Sequence, residues 1–454
     1  MLRRPFSSFA YQIINLHPMS KRTSLPPYLL APFSVIGETL PGQRLASGLR
    51  WWLVLQANII HNSHIATGIV QEWLSRSGQL PLSIRILSLG SHSEAVSALA
   101  NIINLYSTRW SELDLFMDPH SYQKFGTDHH AHILKSFRLH SKAEYDTIKP
   151  IFQLTCPRLE RASLSSISFI SMKGINIQWD NLTHLTLHST SIYNFFHILR
   201  KTPRLVFCKV SGFCSRYVEG SVEAPFLTSL RSLQLLIPKY AEFFLDNLVA
   251  PYLEEFSIPR NHILSIGFIT SFIRRSACSL RSFSVMFSIS PRYFEGFMSL
   301  LQSMPSLNTL SITTLKKRNV TPSDYCPRNI LQLAAKVLSS QSASLQGFLP
   351  NIEILEYTGK LYLRPRNYAD LCSLPPANNA FHGPLRLHQL NIHPATRIPK
   401  NMISYLSSLM ERGVAANVLS KSEDILQSSV NYYRCQKDSL SRDWADNLDS
   451  SLFS

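Results

Sequence analysis

One short phrase, Pro-x-Leu-x-x-Leu-x-Leu with apolar substitutions, recurs through this chain and leaves few folds open to it. It runs from Pro157 (Leu159, Ala162, Leu164), Pro203 (Leu205, Cys208, Val210), Pro251 (Leu253, Phe256, Ile258), Pro305 (Leu307, Leu310, Ile312) and Pro350 (Ile352, Leu355, Tyr357). Copies without the aligned proline lie between them, at Leu134/Phe137/Leu139, Leu182/Leu185/Leu187, Leu230/Leu233/Leu235, Leu280/Phe283/Val285 and Leu387/Leu390/Ile392. The middle apolar positions, counted from Leu113, fall at 113, 137, 162, 185, 208, 233, 256, 283, 310, 355 and 390, so the first eight steps are 24, 25, 23, 23, 25, 23, 27 and 27 residues. Only the last two steps, 45 and 35, break the rhythm.

The period and the phrase together are the signature of a leucine-rich repeat. Each Leu-x-Leu pair puts two side chains on one face of a short strand. One strand cannot bury that face alone, but parallel strands stacked side by side share a continuous core. Return segments must cross the back of the stack, and several show helical i, i+3, i+4 spacing: Phe195/Phe196/Leu199, Phe244/Leu248, Phe268/Phe272/Ile273 and Phe297/Leu300/Leu301. The proline is expected to end each helix and start the next extended run. The fold class is α/β, a curved leucine-rich-repeat solenoid with strands on the concave side and helices on the convex side. Twelve strands are expected between Leu82 and His393.

The rest of the chain divides around these repeats. Residues 1–37 have no acidic side chain and carry Arg3, Arg4, Lys21 and Arg22. That composition reads as a disordered basic leader over 1–24, with a mitochondrial presequence as the minor alternative. Residues 25–68 form an N-terminal module or cap, and 69–415 form the solenoid. Within it, Gly78 can cap a helix over 66–76, 316–329 and 362–385 are loops, 330–338 is a helix, and 399–412 is an amphipathic helix closing the core. From 416 to 454 a mobile tail is expected.

Net charge is +16, which brings nucleic acid and acidic partners into view. The basic residues are dispersed, however, and Lys316-Lys317-Arg318 is the densest run, so a nucleic-acid role is not the favoured reading. The seven cysteines include no Cys-x-x-Cys; Cys156, Cys208, Cys278 and Cys372 read as buried, reduced thiols of a cytoplasmic or nuclear protein. The sequons at Asn181 and Asn319 are discounted, because the first falls in an expected strand. No apolar run reaches the roughly 18 residues of a membrane span. Gly-rich phosphate loops, Gly-x-Ser-x-Gly and His-Glu-x-x-His are all absent. His129, His130 and His132, with His120 and His140 nearby, fit no standard zinc spacing and read as a polar inter-repeat loop. No cofactor, metal site or catalytic residue is expected, and the chain reads as a non-enzyme.

The expected function is binding. The residue between the two core positions of each strand faces outward, in a row that includes Asp114, Arg138, Thr186, Lys209 and Gln234. The residue before the middle core position adds Phe207, the expected aromatic anchor. A protein partner on this concave row is the reading.

From Gln71 to about residue 410 the chain also resembles the leucine-rich-repeat F-box-like proteins of mushroom-forming fungi. The matching marks are Trp73-Leu74-x-Arg76-Ser77-Gly78-x-x-Pro81-Leu82-Ser83-Ile84, Arg109-Trp110-x-x-Leu113-x-Leu115, Trp179-x-x-Leu182-Thr183-x-Leu185-x-Leu187 and Arg275-Ser276-x-Cys278-x-Leu280. The resemblance implies an N-terminal F-box that binds a Skp-type adaptor and, through it, a cullin-type ubiquitin ligase, with the repeats holding the substrate. Here the F-box is degenerate or missing. Leu25-Pro26-Pro27 echoes its opening with Tyr28 in place of the acidic residue, and Arg44-Leu45-Ala46 and Leu49-Arg50-Trp51-Trp52 echo its end at altered spacing.

Overall fold

A strand that alternates Leu-x-Leu must hide one face, and here each strand hides it beside the next copy of itself. The computed structural model describes residues 51–56, 63–87, 93–117, 119–122, 124–125, 129–141, 152–165, 175–213, 225–236, 241–258, 266–286, 291–313, 348–359, 389–394, 415–420 and 423–424. Fifteen strands form one sheet: β1 (Trp51–Gln56), β2 (Leu82–Leu87), β3 (Trp110–Met117), β5 (Ser136–Ser141), β7 (Arg161–Ser165), β9 (His184–His188), β10 (Phe207–Val210), β11 (Ser232–Leu235), β12 (Glu255–Ile258), β13 (Ser282–Met286), β14 (Thr309–Thr313), β15 (Ile354–Gly359), β16 (Gln389–Pro394), β17 (Ala415–Ser420) and β18 (Glu423–Asp424). They lie side by side in chain order, and every neighbouring pair is parallel except the last.

The register follows the repeat. Ile84 pairs with Leu113, Leu113 with Phe137, Phe137 with Ala162, Ala162 with Leu185, and Leu185 with Cys208. The column continues through Leu233, Phe256, Phe283, Leu310, Leu355 and Leu390. From Ile84 to Leu355 these residues are buried, and so are those two positions on, from Ile86 and Leu115 to Ile312 and Tyr357. All twelve expected strands are present. Two more parallel strands, β1 and β17, lie beyond them, so the sheet begins before the expected boundary at 69 and runs past the one at 415. Trp51 and Trp52, read as the echo of an F-box end, sit in β1.

The repeated proline does more than end a helix. In Cys156-Pro157-Arg158-Leu159 the Leu159 N–H donates to Cys156 O at 3.1 Å, and the same closure recurs at Leu205 to Thr202, Leu253 to Ala250, Leu307 to Met304 and Ile352 to Leu349. Each proline therefore occupies the second position of a β-turn, where its fixed φ is already correct. The turn aims the following leucine into the core: Leu159, Leu205, Leu253, Leu307 and Ile352 are all buried. A second device locks each strand entry. The carbonyl of Lys135 accepts from both Glu160 N and Arg161 N, and Glu160, Thr183, Val206, Arg231, Glu254, Arg281 and Asn308 repeat this with the next copy.

Return segments cover the inner face. Helices Ile192–Arg200, Ala241–Asp246, Ile266–Ser276 and Pro291–Gln302 bury Phe195, Phe196, Leu199, Phe244, Phe272, Ile273, Phe297, Leu300 and Leu301. Phe272 meets the strand residue Phe256 with ring centroids 5.5 Å apart, so helix and sheet share one core. Phe268, expected on this face, is only half-buried; Ile269 takes the buried place.

Three of the earlier returns, those before β5, β7 and β9, carry strands. A second parallel sheet of three strands, β4 (His129–His130), β6 (Phe152–Thr155) and β8 (Ile175–Ile177), occupies this part of the chain. Ile175-Asn176-Ile177 alternates buried, exposed, buried, a period of two rather than 3.6. The histidine cluster expected in a polar loop thus lies partly in a strand, beside the buried Ala131. Asn181 and Thr183 precede β9 rather than lying within it.

Near the chain's first repeats, the helix Ser63–Arg76 ends on Gly78, whose φ of +55° is the left-handed C-terminal cap geometry glycine favours. The expected leader, the F-box-like residues 25–50, the loops at 316–329 and 362–385, the helices 330–338 and 399–412, and the tail after 424 lie outside the described residues. Among the described residues, no helix is long and apolar enough to cross a membrane.

Candidate protein-binding surface

Because side chains alternate along a strand, burying positions 185 and 187 turns 184, 186 and 188 the other way. The same parity holds in every copy, so the sheet presents an outer face of three rows. In the middle row, Asp114 pairs with Arg138, Arg138 with Ser163, Ser163 with Thr186, Thr186 with Lys209 and Lys209 with Gln234. The five middle-row residues expected at the site thus belong to one row, with Ser163 between Arg138 and Thr186, and each is half-buried or exposed. Phe207 lies one position earlier, in the row that contains Arg161, His184 and Ser232. Its ring sits 5.7 Å from that of His184.

The row after the second core position was not expected as part of the site and adds His140, Ser165, His188 and Ser211. The signal for it was the period of two continued by one more residue, which brief Leu-x-Leu matching cuts short. His188 Nδ1 is hydrogen-bonded to Ser211 Oγ on the next repeat. Arg85, on β2, is another residue that reading missed.

Asp114 is the electrostatic centre of the first repeats. Arg85 Nε lies 3.3 Å from its Oδ2, Arg138 Nη1 3.9 Å from the same oxygen, and His140 Nε2 3.9 Å from Oδ1. The imidazoles nearby are held below their ordinary pKa. For His140 burial dominates, Asp114 opposes it, and Arg138 and Arg85 reinforce it. For His188 the causes are burial, then His140 and Lys209. For His184 burial and Arg161 outweigh Glu160. In all three, burial favours the neutral imidazole.

The charge of the face divides along the sheet. From β2 to β10 its outward positions carry four cations (Arg85, Arg138, Arg161, Lys209) against two anions (Glu112, Asp114). From β11 to β15 they carry two anions, Glu255 and Glu356, no lysine or arginine, and hydroxyls at Ser257, Ser284 and Ser311.

The histidines of β4 face different surroundings. His129 packs edge-on to Trp110 at 6.3 Å, and His130 stacks on His132 at 5.5 Å. Among the described residues no three His, Cys, Asp or Glu side chains are grouped to hold a metal ion. The thiols of Cys156 and Cys208 are buried, and burial pushes the first up to about 12 and the second higher. Neither is a nucleophile at neutral pH. A scan against protein-family models found no match, and a search of curated proteins likewise found none.

Proposed function

We propose that this chain is a non-enzymatic recognition protein, a leucine-rich-repeat solenoid whose outer sheet face holds a protein partner. The observation that carries this reading is the unbroken middle row from Asp114 to Gln234. It places charged, polar and hydroxyl side chains in register on a surface that the inner core does not use. Phe207 and His184 give the row an aromatic ledge, the kind of group that concentrates binding energy. The family resemblance adds a role for such a partner: substrate of a cullin-type ubiquitin ligase, reached through a Skp-type adaptor docked on residues 25–50. The buried thiols of Cys156 and Cys208 fit a cytoplasmic or nuclear setting, whereas Cys278, expected to be buried, is only half-buried. Nucleic acid is the weaker reading, because the basic residues are dispersed and several already face acids, Arg85 facing Asp114, Lys135 facing Glu160 and Arg231 facing Glu254.

Two measurements test this. A photo-crosslinking side chain at Thr186 should capture a partner that the same side chain at Arg274, on the helix side, does not. Equal capture from both positions overturns the outer-face assignment. Separately, the full chain should retain a purified Skp-type adaptor, whereas a chain beginning at Trp51, which keeps β1 and the helix Ser63–Arg76, should not. If neither retains it, the ligase role falls and the recognition role stands alone.

A further inference from the structure

The outer face of β5 to β10 has a particular relief. Its floor carries small hydroxyl side chains, Ser163 and Ser165 on β7 and Thr186 on β9, with His184 and His188 on either side of Thr186. Cations stand around it, with Arg138 on β5, Arg161 at the start of β7 and Lys209 on β10. Arg138 and Lys209 are three strand spacings apart, about 14 Å at ~4.8 Å each. That width accepts one extended polypeptide with its side chains reaching both walls. Arg138 is 57% exposed at its side chain, and Arg161 is exposed. The acid beside Arg138, Asp114, is already flanked more closely by Arg85. The cationic excess is confined to this end of the face, since the strands from β11 to β15 offer only Glu255 and Glu356 as charges.

From this relief we infer that the partner segment seated on β5 to β10 is an acidic peptide, an extended run of Asp and Glu whose carboxylates reach Arg138, Arg161 and Lys209. The inference rests on the outer face being the docking surface, and it names the chemistry of the occupant. The hydroxyls of Ser163, Ser165 and Thr186 can donate to carboxylates or to backbone carbonyls of such a segment. The Phe207–His184 pair lies beside the trough and receives an apolar residue flanking the acidic run. The acidic end of the sheet repels the same segment, so the charge division also sets its position along the face.

The test uses the full chain and labelled peptides in fluorescence polarisation. One peptide is a run of Asp, Glu and Ser, and the other carries Asn and Gln in place of the acids. The acidic peptide should bind at least about tenfold more tightly at low salt, with the difference shrinking as salt is raised. Arg161→Glu with Lys209→Glu should abolish that preference. Arg274→Glu with Arg281→Glu, an equal charge change away from the trough, should leave affinity within about twofold. Circular dichroism on both variants excludes misfolding as the cause. Equal binding of the two peptides, no binding of either, or indifference to the trough reversal overturns the inference. So does a single-stranded oligonucleotide that displaces the peptide and is itself lost with the same reversal. If the inference fails while Thr186 still crosslinks a partner and Arg274 does not, the docking surface stands and only the acidic class falls.

Discussion

Replacing Arg109 by Met separates two ideas about buried arginines. Arg109 is 8% exposed and reaches back from the start of β3 to the end of the helix Ser63–Arg76. Its Nε and Nη2 donate to Leu80 O at 3.0 and 2.8 Å, Nη2 also donates to Ser77 Oγ at 2.6 Å and Ser77 O at 3.3 Å, and Nη1 donates to Leu74 O at 3.5 Å. A cation at a helix C-terminus is favourable, but burial pulls its pKa down, so the two effects oppose. The contacts decide the magnitude. Ser77 O also receives Leu80 N at 3.2 Å, and Leu74 O receives Ser77 Oγ at 2.6 Å. Without Arg109 only Leu80 O loses its donors. One orphaned carbonyl, the lost charged hydrogen bonds and the relief of a desolvated charge together put Arg109→Met at about 2–3 kcal/mol, rather than the sum of five contacts. Arg109→Lys, with no planar fork, should recover about half of that. Urea unfolding followed by Trp emission gives the size, and amide hydrogen exchange should locate the loss in 63–87 because stacked repeats open locally. A loss below about 0.5 kcal/mol for Arg109→Met, or an equal loss for both variants, refutes the reasoning.

The other predictions sample the core, the backbone, the thiols and the histidines. Phe256→Ala removes a buried ring that meets Phe272 at 5.5 Å and Phe283 at 5.9 Å, and should cost about 3–5 kcal/mol in chemical denaturation. Ala277 holds a φ of +48° just after the helix Ile266–Ser276, so Ala277→Gly should raise stability by about 1 kcal/mol, read as a higher thermal midpoint. Cys156 and Cys208 should resist iodoacetamide in the native chain and react once denaturant exposes them, followed by mass spectrometry. His140, His184 and His188 have lowered folded-state pKa values, so below about pH 6.5 the unfolded chain takes up protons first and stability falls as pH falls. Melting temperatures should decline from pH 7 to 5, and His→Gln at all three positions should flatten the slope.

How much of this was legible depends on the scale of the signal. A period of two inside a period of about 24 identifies strand, face and neighbour together. That is why the column from Ile84 to Leu390 and the row from Asp114 to Gln234 could be read residue by residue. Returns were less legible. Ile175-Asn176-Ile177 is too short to distinguish helix from strand by pattern, and its strand state depends on β6 lying beside it. Trp51–Gln56 belongs to no copy of the phrase, so only its pairing with β2 makes it part of the sheet. The Asp114 cluster needed side chains from three successive strands, 85, 114 and 138/140. No local motif contains them, although the register implied their adjacency.

The same register limits how the outer face can change. Shifting one strand by a residue would turn its leucines outward and its polar row inward. Two features oppose that slip independently of the core. The β-turn at Pro157, Pro203, Pro251, Pro305 and Pro350 sets where each strand starts, and the two-donor carbonyls at Lys135, Glu160 and the following copies tie that start to its neighbour. With position fixed from the backbone side, the outer side chains are released from any role in specifying the fold. Arg161, His184 and Phe207 can differ in every chemical respect while their backbone N–H groups make the same bond to the preceding repeat. The face can therefore acquire a charge pattern of its own without disturbing the stack. The division between a basic β2–β10 and an acidic β11–β15 is consequently not dictated by folding, and the proposed recognition role gives it a use.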